Sequence, residues 1–256
     1  MTNIHATAII DKKAQVGNNV TIGAFSIVEG DVIIGNDTGI GTHVHIFNGA
    51  RIGNNCKIHK GAVVASDPQD LKFEGEATLF EIGDNTTIRE FCTLNRGTKD
   101  HMKSVVGSNC LLMAYAHVAH DCIIGDNVIM ANAVQLGGHV EVEEFAIIGG
   151  MSGVHQFCHI GRHCMLGAHF RAVQDVPPYI TASGEPLKYT GINSIGLRRR
   201  GFKSESVLTL KRTYNLLYRS KLNVSQAVER IKNEIEMIPE VQHVMDFIER
   251  SNRGLI

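Results

Sequence analysis

Residues 106–148, VGSNCLLMAYAHVAHDCIIGDNVIMANAVQLGGHVEVEEFAII, decide the fold of this chain. A large apolar residue stands at every sixth position of the stretch and is often followed by glycine, as in Ile124-Gly125 and Leu136-Gly137. A period of six is neither the 3.6-residue period of a helix nor the two-residue period of one long strand. The pattern predicts a short strand and a turn in every repeat, with one large and one small side chain directed inward.

The same phase extends in both directions, from Ile4 to Ala172. Its only polar positions are Asp70, Glu76 and Asp100, and these fall in two interruptions. Three repeats would close one triangular coil of about 18 residues, and stacked coils would pair their strands in parallel about 4.8 Å apart. Over residues 4–176 the pattern resembles the left-handed parallel β-helix of hexapeptide-repeat proteins, and the left-handed sense is implied by that resemblance alone.

We expect residues 1–178 to form this β-helix as the catalytic domain. The phase resumes undisturbed after each interruption, so we predict that the interruptions leave the prism as loops near residues 66–80 and 96–105. Long loops on a rigid scaffold commonly carry function.

A different pattern follows Val176-Pro177-Pro178. Apolar residues there recur at helical spacing, as in the run Val207–Leu217. We therefore predict a small α-helical domain over residues 190–256. The predicted helix starts are Ser204 as an N-cap, Asn223 with Gln226 as a capping box, and Pro239 at the first helical position.

The composition is that of a globular protein, with 43% hydrophobic and 20% charged residues. A net charge of −1 favours no nucleic-acid partner. The N-terminal residues lack the pattern of a signal peptide, and no apolar run approaches the roughly 18 residues of a transmembrane segment. We expect a cytoplasmic protein.

All six cysteines occupy the small inward position of their repeats, which predicts buried, unpaired thiols. No Cys-x-x-Cys pair points to zinc or redox chemistry. The six are Cys56, Cys92, Cys110, Cys122, Cys158 and Cys164.

Histidines are grouped near the middle of the predicted prism. At 18 residues per coil, His120 and His139 fall on neighbouring coils, with His117 before them and His155 after them. Such a strip is compatible with general-base catalysis, with a zinc site between subunits, or with scattered solvent-facing side chains. The run Arg198-Arg199-Arg200 is likewise compatible with a solvated patch or with a diphosphate clamp.

Several motifs together resemble the UDP-N-acetylglucosamine 3-O-acyltransferase family, which starts lipid A synthesis. The resemblance covers essentially the whole chain. The motifs are Gln69–Lys72, Tyr115–Asp121, Ile147–Met151, Val154–Phe157, Gln174–Tyr179, Gly191–Asn193 and Arg199–Phe202.

The resemblance implies an enzyme whose catalytic residues are His120, Asp121 and Gly138. His120 would be the general base that takes a proton from the sugar 3-hydroxyl. Asp121 would orient it, although adjacent residues on a strand face opposite ways. The backbone N–H of Gly138 would stabilise the tetrahedral oxyanion, because a glycine permits close approach.

The resemblance also implies the substrates and the assembly. A 3-hydroxyacyl chain would pass from acyl carrier protein to UDP-N-acetylglucosamine in a homotrimer, with no metal or other cofactor. Ala168 would border the end of the acyl pocket and favour a chain of about 12–14 carbons. The implied substrate-binding residues are Asp70, Lys72, His117, His139, His155, Gln156, Asn193, Arg199 and Arg200.

Three positions depart from the family pattern, namely Asn95, Ile195 and Pro186. They affect the expected nucleotide contacts and acyl-length preference. The same chemistry on a UDP 3-amino sugar is an alternative, as is the related N-acyltransferase of the pathway. That enzyme usually carries an extra N-terminal domain, which we do not expect because the repeat starts at Ile4. A non-catalytic solenoid and a zinc-dependent hydratase are further alternatives from other classes.

Overall fold

The computed structural model of the protein describes residues 2–256, in which 28 strands and four helices are formed. Before the first loop come β1 Asn3–Ile4, β2 Ile9–Ile10, β3 Gln15–Val16, β4 Thr21–Ile22, β5 Ile27–Val28, β6 Ile33–Ile34, β7 Gly39–Ile40, β8 His45–Ile46, β9 Ala50–Ile52, β10 Lys57–Ile58 and β11 Val63–Ser66. Between the two loops lie β12 Leu79–Ile82, β13 Thr87–Ile88 and β14 Thr93–Asn95. After the second loop come β15 Lys103–Val106, β16 Leu111–Leu112, β17 His117–Val118, β18 Ile123–Ile124, β19 Ile129–Met130, β20 Gln135–Leu136, β21 Glu141–Val142, β22 Ile147–Ile148, β23 Gly153–Val154, β24 His159–Ile160, β25 Met165–Leu166 and β26 Arg171–Ala172. The prism is followed by β27 Ile180–Ser183, β28 Lys188–Ile192, α1 Ser194–Arg199, α2 Ser204–Arg219, α3 Val224–Glu234 and α4 Pro239–Arg250.

The strands form the three flat sides of a prism, which confirms the predicted parallel β-helix. From β1 to β26, successive strands belong to sheets 1, 2 and 3 in turn, and β27 and β28 extend sheet 1. Within a sheet, strands one coil apart pair in parallel, and in coils without a loop the residues in register are 18 positions apart, as Leu112 and Met130. The phase residues of neighbouring coils therefore lie directly above one another.

Both predicted loops leave the prism at the same corner, between sheets 2 and 3. Their strands extend slightly further than predicted, so the irregular segments cover residues 67–78 and 96–102. Pairing keeps its phase across them, because Ile58 pairs with Ile88 and Ile88 with Leu112. We name this corner the His120 corner, after the turn of a later coil. The turns between sheets 3 and 1 form the His163 corner.

The core is the aliphatic interior of the prism, as the sixfold pattern predicts. The apolar phase residues from Ile22 onward are buried, whereas Ile4 in the terminal coil is 44% exposed because no coil covers it. All six cysteines are buried and free within the described part of the chain, as predicted.

Most corner turns place one residue in the left-handed region, with φ near +60°. Asn, Asp and His tolerate this conformation better than most residues. At the His120 corner, Asp121, His139 and Phe157 occupy this position in three successive coils. The backbone conformation of the turn therefore sets the direction of these side chains. In a strand, neighbouring side chains would point to opposite faces instead.

The C-terminal helices confirm most of the helical prediction. Asn223 and Gln226 form the predicted capping box of α3, and Pro239 opens α4. Ser204 is the first residue of α2 and not its N-cap, because Lys203 occupies the cap position without a side-chain bond. Helix α1 was not predicted. No helix within residues 2–256 is long and apolar enough to cross a membrane.

Helix α2 and the prism share one hydrophobic core. Buried Leu210, Tyr214 and Leu217 of α2 pack into the same cluster as the prism residues. The hydroxyl of Tyr214, which is fully buried, donates a 2.7 Å hydrogen bond to the carbonyl of Pro178. The helical region therefore closes the C-terminal end of the prism.

Asp175 connects the last coil with the C-terminal tail. Its backbone N–H donates to Gly254 and its carbonyl accepts from Ile256. Its carboxylate accepts from the Ser251 hydroxyl and lies 3.5 Å from His159 Nδ1. Asp175, with Glu141 on the other side of the ring, raises the pKa of His159 to about 9.

This ion pair predicts a pH-dependent contribution to stability. Because the folded pKa of His159 lies above its ordinary value of about 6.5, the contribution is present below pH 6.5 and is lost as pH rises towards about 9. We expect His159→Gln to lower the free energy of unfolding by about 1–3 kcal/mol at pH 6 and by much less above pH 9. Urea unfolding of both proteins at the two pH values measures this. The exposed His5→Gln is the control, and an equal loss at both pH values would contradict the prediction.

Candidate active site

Three stacked turns build the candidate site at the His120 corner. They are His120-Asp121, Gly138-His139 and Gln156-Phe157, each one coil above the last. Backbone hydrogen bonds join them, because His139 N–H donates to the His120 carbonyl and Phe157 N–H to the Gly138 carbonyl, both at 3.1 Å. The predicted catalytic residues therefore lie side by side on rigid backbone.

His120 and Asp121 form a hydrogen-bonded pair. His120 Nδ1 lies 2.8 Å from Asp121 Oδ2, and the Asp121 side chain is fully buried. Both residues lie in the turn rather than on a strand, and the positive φ of Asp121 directs its carboxylate to the Nδ1 edge of the ring. An ionised carboxylate only accepts, so Nδ1 carries the proton and Nε2 keeps its lone pair. A histidine in this tautomer can accept a proton at Nε2.

The second loop stabilises the ionised form of Asp121. Thr98 donates to the carboxylate from its backbone N–H at 2.9 Å and from its hydroxyl at 2.7 Å. Desolvation is the largest single influence and opposes ionisation, but the hydrogen bonds of His120 and Thr98 outweigh it and lower the pKa of Asp121. The carboxylate therefore remains charged behind the ring.

Gly138 lies against the His120 ring so closely that no side chain fits between them. A Cβ at this position would be 2.7 Å from both Cε1 and Nε2 of the ring. The Gly138 N–H donates to no other group within residues 2–256. A glycine whose backbone N–H is free within the described residues therefore lies against the ring of the candidate base.

A groove of about 490 Å³ runs from this corner along sheet 2. The predicted residues His117, His120, Gly138, His155 and Gln156 line it together. Other lining residues were not assigned roles by the sequence argument, among them Gln69, from the motif on the first loop, and Arg171.

His117 and His139 are neutral side chains beside the groove. Burial is the main cause that lowers the pKa of each. His117 Nδ1 lies 2.8 Å from the Thr93 hydroxyl, and His139 stacks on Phe157 with ring centres 4.5 Å apart. Such rings offer neutral donors and acceptors rather than charge.

The predicted nucleotide-binding residues lie elsewhere in the chain. Asn193 donates to the His163 carbonyl at 2.9 Å, and the Arg200 guanidinium lies over Phe145, at the His163 corner. Arg199 is exposed on α1 nearby. A single chain therefore does not bring these three residues to the groove.

The remaining predicted residues lie on exposed segments. Asp70 accepts from the Lys72 backbone N–H within the first loop, and Lys72 is exposed. Ala168 is exposed in the turn between sheets 1 and 2 and is not among the groove-lining residues.

Asn95, one of the departures from the family pattern, has a structural role at the loop bases. It is only 2% exposed and donates to the Ser66 hydroxyl and the Asp67 carbonyl, both at 2.9 Å. Exposed Ile195 lies in α1, and Pro186 lies between β27 and β28. Asn95 therefore helps to hold the two loops together.

Two groups of side chains within residues 2–256 could hold a metal ion, and both include His139. One group is His120, Asp121 and His139, and the other is Asp100, His101 and His139. Tetrahedral zinc with bonds of about 2.0 Å separates its ligand atoms by roughly 3.3 Å. The 2.8 Å His120–Asp121 contact is shorter, so a metal there would have to break that hydrogen bond. A cofactor-free site remains a prediction.

Comparison with known proteins identifies two family patterns in the chain. Residues 175–256 match the pattern described as "Udp N-acetylglucosamine O-acyltransferase; Domain 2". Residues 13–48 and 103–138 match the bacterial transferase hexapeptide pattern of six repeats.

Full-length relatives are also similar. An acyl-[acyl-carrier-protein]–UDP-N-acetylglucosamine O-acyltransferase of Thermodesulfovibrio yellowstonii is 44% identical over all of this chain and 99% of its own. The corresponding protein of Herminiimonas arsenicoxydans is 43% identical over the full length of both. The crystal structure of a UDP-N-acetylglucosamine acyltransferase from Bacteroides fragilis matches with a TM-score of 0.97 at 42% identity, over 98% of this chain and 99% of that one.

The contact between Gly138 and His120 predicts the effect of adding one methyl group. We expect Gly138→Ala to displace the His120 ring and break its hydrogen bond to Asp121, because a Cβ would lie 2.7 Å from Nε2. Loss of the downfield Nδ1 proton of His120 in the NMR spectrum measures this. Gly39→Ala is the control, since its Cβ would meet only Thr21 Oγ1, at 3.4 Å. A retained downfield proton in folded Gly138→Ala would refute the prediction.

Proposed function

The chain belongs to the UDP-N-acetylglucosamine O-acyltransferase family, and from this membership we propose that it moves a 3-hydroxyacyl chain from acyl carrier protein to the sugar 3-hydroxyl of UDP-N-acetylglucosamine. This is the reaction that begins lipid A biosynthesis. The observation that supports it best is the groove, where a histidine with a free Nε2 lies against a glycine with a free backbone N–H. The names of the curated relatives favour the hydroxyl acceptor over a 3-amino sugar.

His120 is the general base in this proposal. Its Nε2 takes the proton of the sugar 3-hydroxyl while that oxygen attacks the thioester carbonyl carbon. The new C–O bond produces a tetrahedral oxyanion, whose collapse breaks the C–S bond. The leaving thiolate of the carrier arm then receives the proton from the imidazolium. Asp121 keeps the tautomer and stabilises the transient positive charge, since it lies 2.8 Å from Nδ1.

Gly138 supplies the oxyanion donor in this proposal. Its N–H is free within residues 2–256, and the absent side chain lets substrate approach the backbone. Donors held in place before the reaction stabilise developing charge without reorganisation. His117, His139, His155 and Gln156 would contact the N-acetyl group, the sugar and the phosphates.

A homotrimer with sites between neighbouring prisms completes the proposal. Asp70 and Lys72 on the first loop would hold the sugar nucleotide, and Asn193, Arg199 and Arg200 would grip the uridine diphosphate. The last three lie at the His163 corner, so a neighbouring subunit would have to bring them to the groove at the His120 corner. Such an arrangement is natural in a closed cyclic oligomer.

The acyl chain and the location are the remaining parts of the proposal. Ala168 would border the far end of the acyl pocket, where its small side chain admits a chain of about 12–14 carbons. We place the reaction in the cytoplasm, where acyl carrier protein is available.

The function is tested with a panel of 3-hydroxyacyl carrier proteins and the hydroxy and amino UDP-sugars, with products measured by mass spectrometry. We expect an ester product on UDP-N-acetylglucosamine and a preference for acyl chains of about 12–14 carbons.

We expect His120→Ala to lower kcat by about 10²–10⁴-fold and to change sugar-nucleotide affinity little, because a base acts in the transition state. His59→Ala, at a different corner, is the matched control. Absence of any ester product would refute the proposed reaction. An unchanged kcat in His120→Ala would refute the role of His120 as the general base.

Sharing of each site between subunits is tested by complementation. His120→Ala chains and Arg199→Ala/Arg200→Ala chains are expected to be nearly inactive alone. Co-expressed with two different tags and purified through both, they should regain up to about a third of wild-type activity, because every mixed trimer has one of its three interfaces where an intact groove meets intact arginines. Mixed trimers as inactive as both parents would contradict shared sites.

A further inference from the structure

Arg253, near the end of the chain, contacts a histidine of the groove. One guanidinium nitrogen lies 3.1 Å from His155 Nδ1, although the two residues are 98 positions apart. Arg253 is half-buried, and His155 lines the same groove as His120. The proposed function gives this arginine no role.

The tail that carries Arg253 is held firmly against the last coil. Gly254 and Ile256, which follow it, both form backbone hydrogen bonds with Asp175, at 2.8 and 3.1 Å. The Ser251 hydroxyl donates to the carboxylate of the same buried aspartate. The backbone is therefore anchored on both sides of the arginine, which keeps its side chain within reach of His155.

His155 Nδ1 has two neighbours that require opposite proton positions. The carbonyl of Gln156, also 3.1 Å away, can only accept a hydrogen bond, so it favours a proton on Nδ1. The guanidinium can only donate, so it favours a lone pair on Nδ1. Arg253 brings a charge-assisted bond, which is about twice as strong as a neutral one. The arginine therefore determines the outcome, and the proton lies on Nε2.

We propose that Arg253 is a positioning residue that selects the Nε2–H tautomer of His155, so that His155 donates a hydrogen bond to an oxygen of the bound sugar nucleotide. Nε2 has no hydrogen-bond partner within residues 2–256 and is free to face the groove. Without Arg253, the proton moves to Nδ1, and Nε2 becomes an acceptor that repels a phosphate or carbonyl oxygen. This inference rests on the proposed function only for the identity of the ligand.

The result is a division of labour between two histidines of one groove. Asp121, an acceptor, leaves the lone pair of His120 at Nε2, whereas Arg253, a donor, leaves a proton at the Nε2 of His155. One ring can then accept the proton of the reaction, while the other holds the substrate. Opposite partners at Nδ1 set opposite roles at Nε2.

The tautomer is measured directly by long-range proton–nitrogen NMR of histidine-labelled full-length protein, with His155→Gln identifying the signals. We expect the Nε2–H form in wild type and a shift to the Nδ1–H form in Arg253→Ala. We expect the Kd for UDP-N-acetylglucosamine, measured by calorimetry, to rise about tenfold in Arg253→Ala. Arg253→Lys, which also only donates, should retain the wild-type tautomer and recover most of the affinity.

Arg250→Gln is the matched control, because Arg250 comes from the same end of the chain but contacts Glu143 instead of His155. It should leave the tautomer and the Kd unchanged. An unchanged tautomer in folded Arg253→Ala overturns the proposal, and so does a changed tautomer with an unchanged Kd. If the wild-type protein binds UDP-N-acetylglucosamine but makes no ester, the proposed function fails while both measurements still test the role of Arg253.

Discussion

Parallel hydrogen bonding between residues one coil apart is the interaction on which the rest of this structure depends. Most strands are two residues long, and a strand of that length has no stability on its own. Stacking provides the partners, because each strand of an inner coil pairs with the coils below and above it, and the aliphatic side chains pile up inside. Where the stacking ends, at Ile4, the same kind of residue is left exposed.

In the stacked coils, the spacing of two residues along the sequence determines how far apart they lie in space. A residue and its neighbour 18 positions later lie about 4.8 Å apart, whatever their side chains. The His120 corner uses this regularity to place a buried aspartate, a glycine and a histidine against one ring. Such a site needs no motion of the scaffold to hold its geometry, which suits a reaction that depends on one well-placed base.

Charge in the groove is limited and placed behind the reacting groups. Burial keeps His117 and His139 neutral, while Thr98 and His120 keep Asp121 ionised against the cost of desolvation. Each ring then offers a defined donor or acceptor. The rings of His120 and His155 depend on segments outside the regular coil, since Thr98, which holds the Asp121 partner of His120, belongs to a loop and Arg253, which contacts His155, belongs to the tail.

The sequence by itself determined the prism, the inward cysteines, the phase of both loops and the capping box at Asn223, because each follows from short-range periodicity or spacing. It also singled out the histidine strip, since residues about 18 positions apart in a regular coil lie next to each other on neighbouring coils. Only the tertiary structure decided that the Asp121 carboxylate points to the Nδ1 edge of His120, because a left-handed turn and not strand alternation directs its side chain. Likewise, no local pattern could place Thr98 on Asp121 or Arg253 on His155. Those contacts depend on where a loop and a tail fold back, and long-range packing sets that path rather than any repeat in the chain.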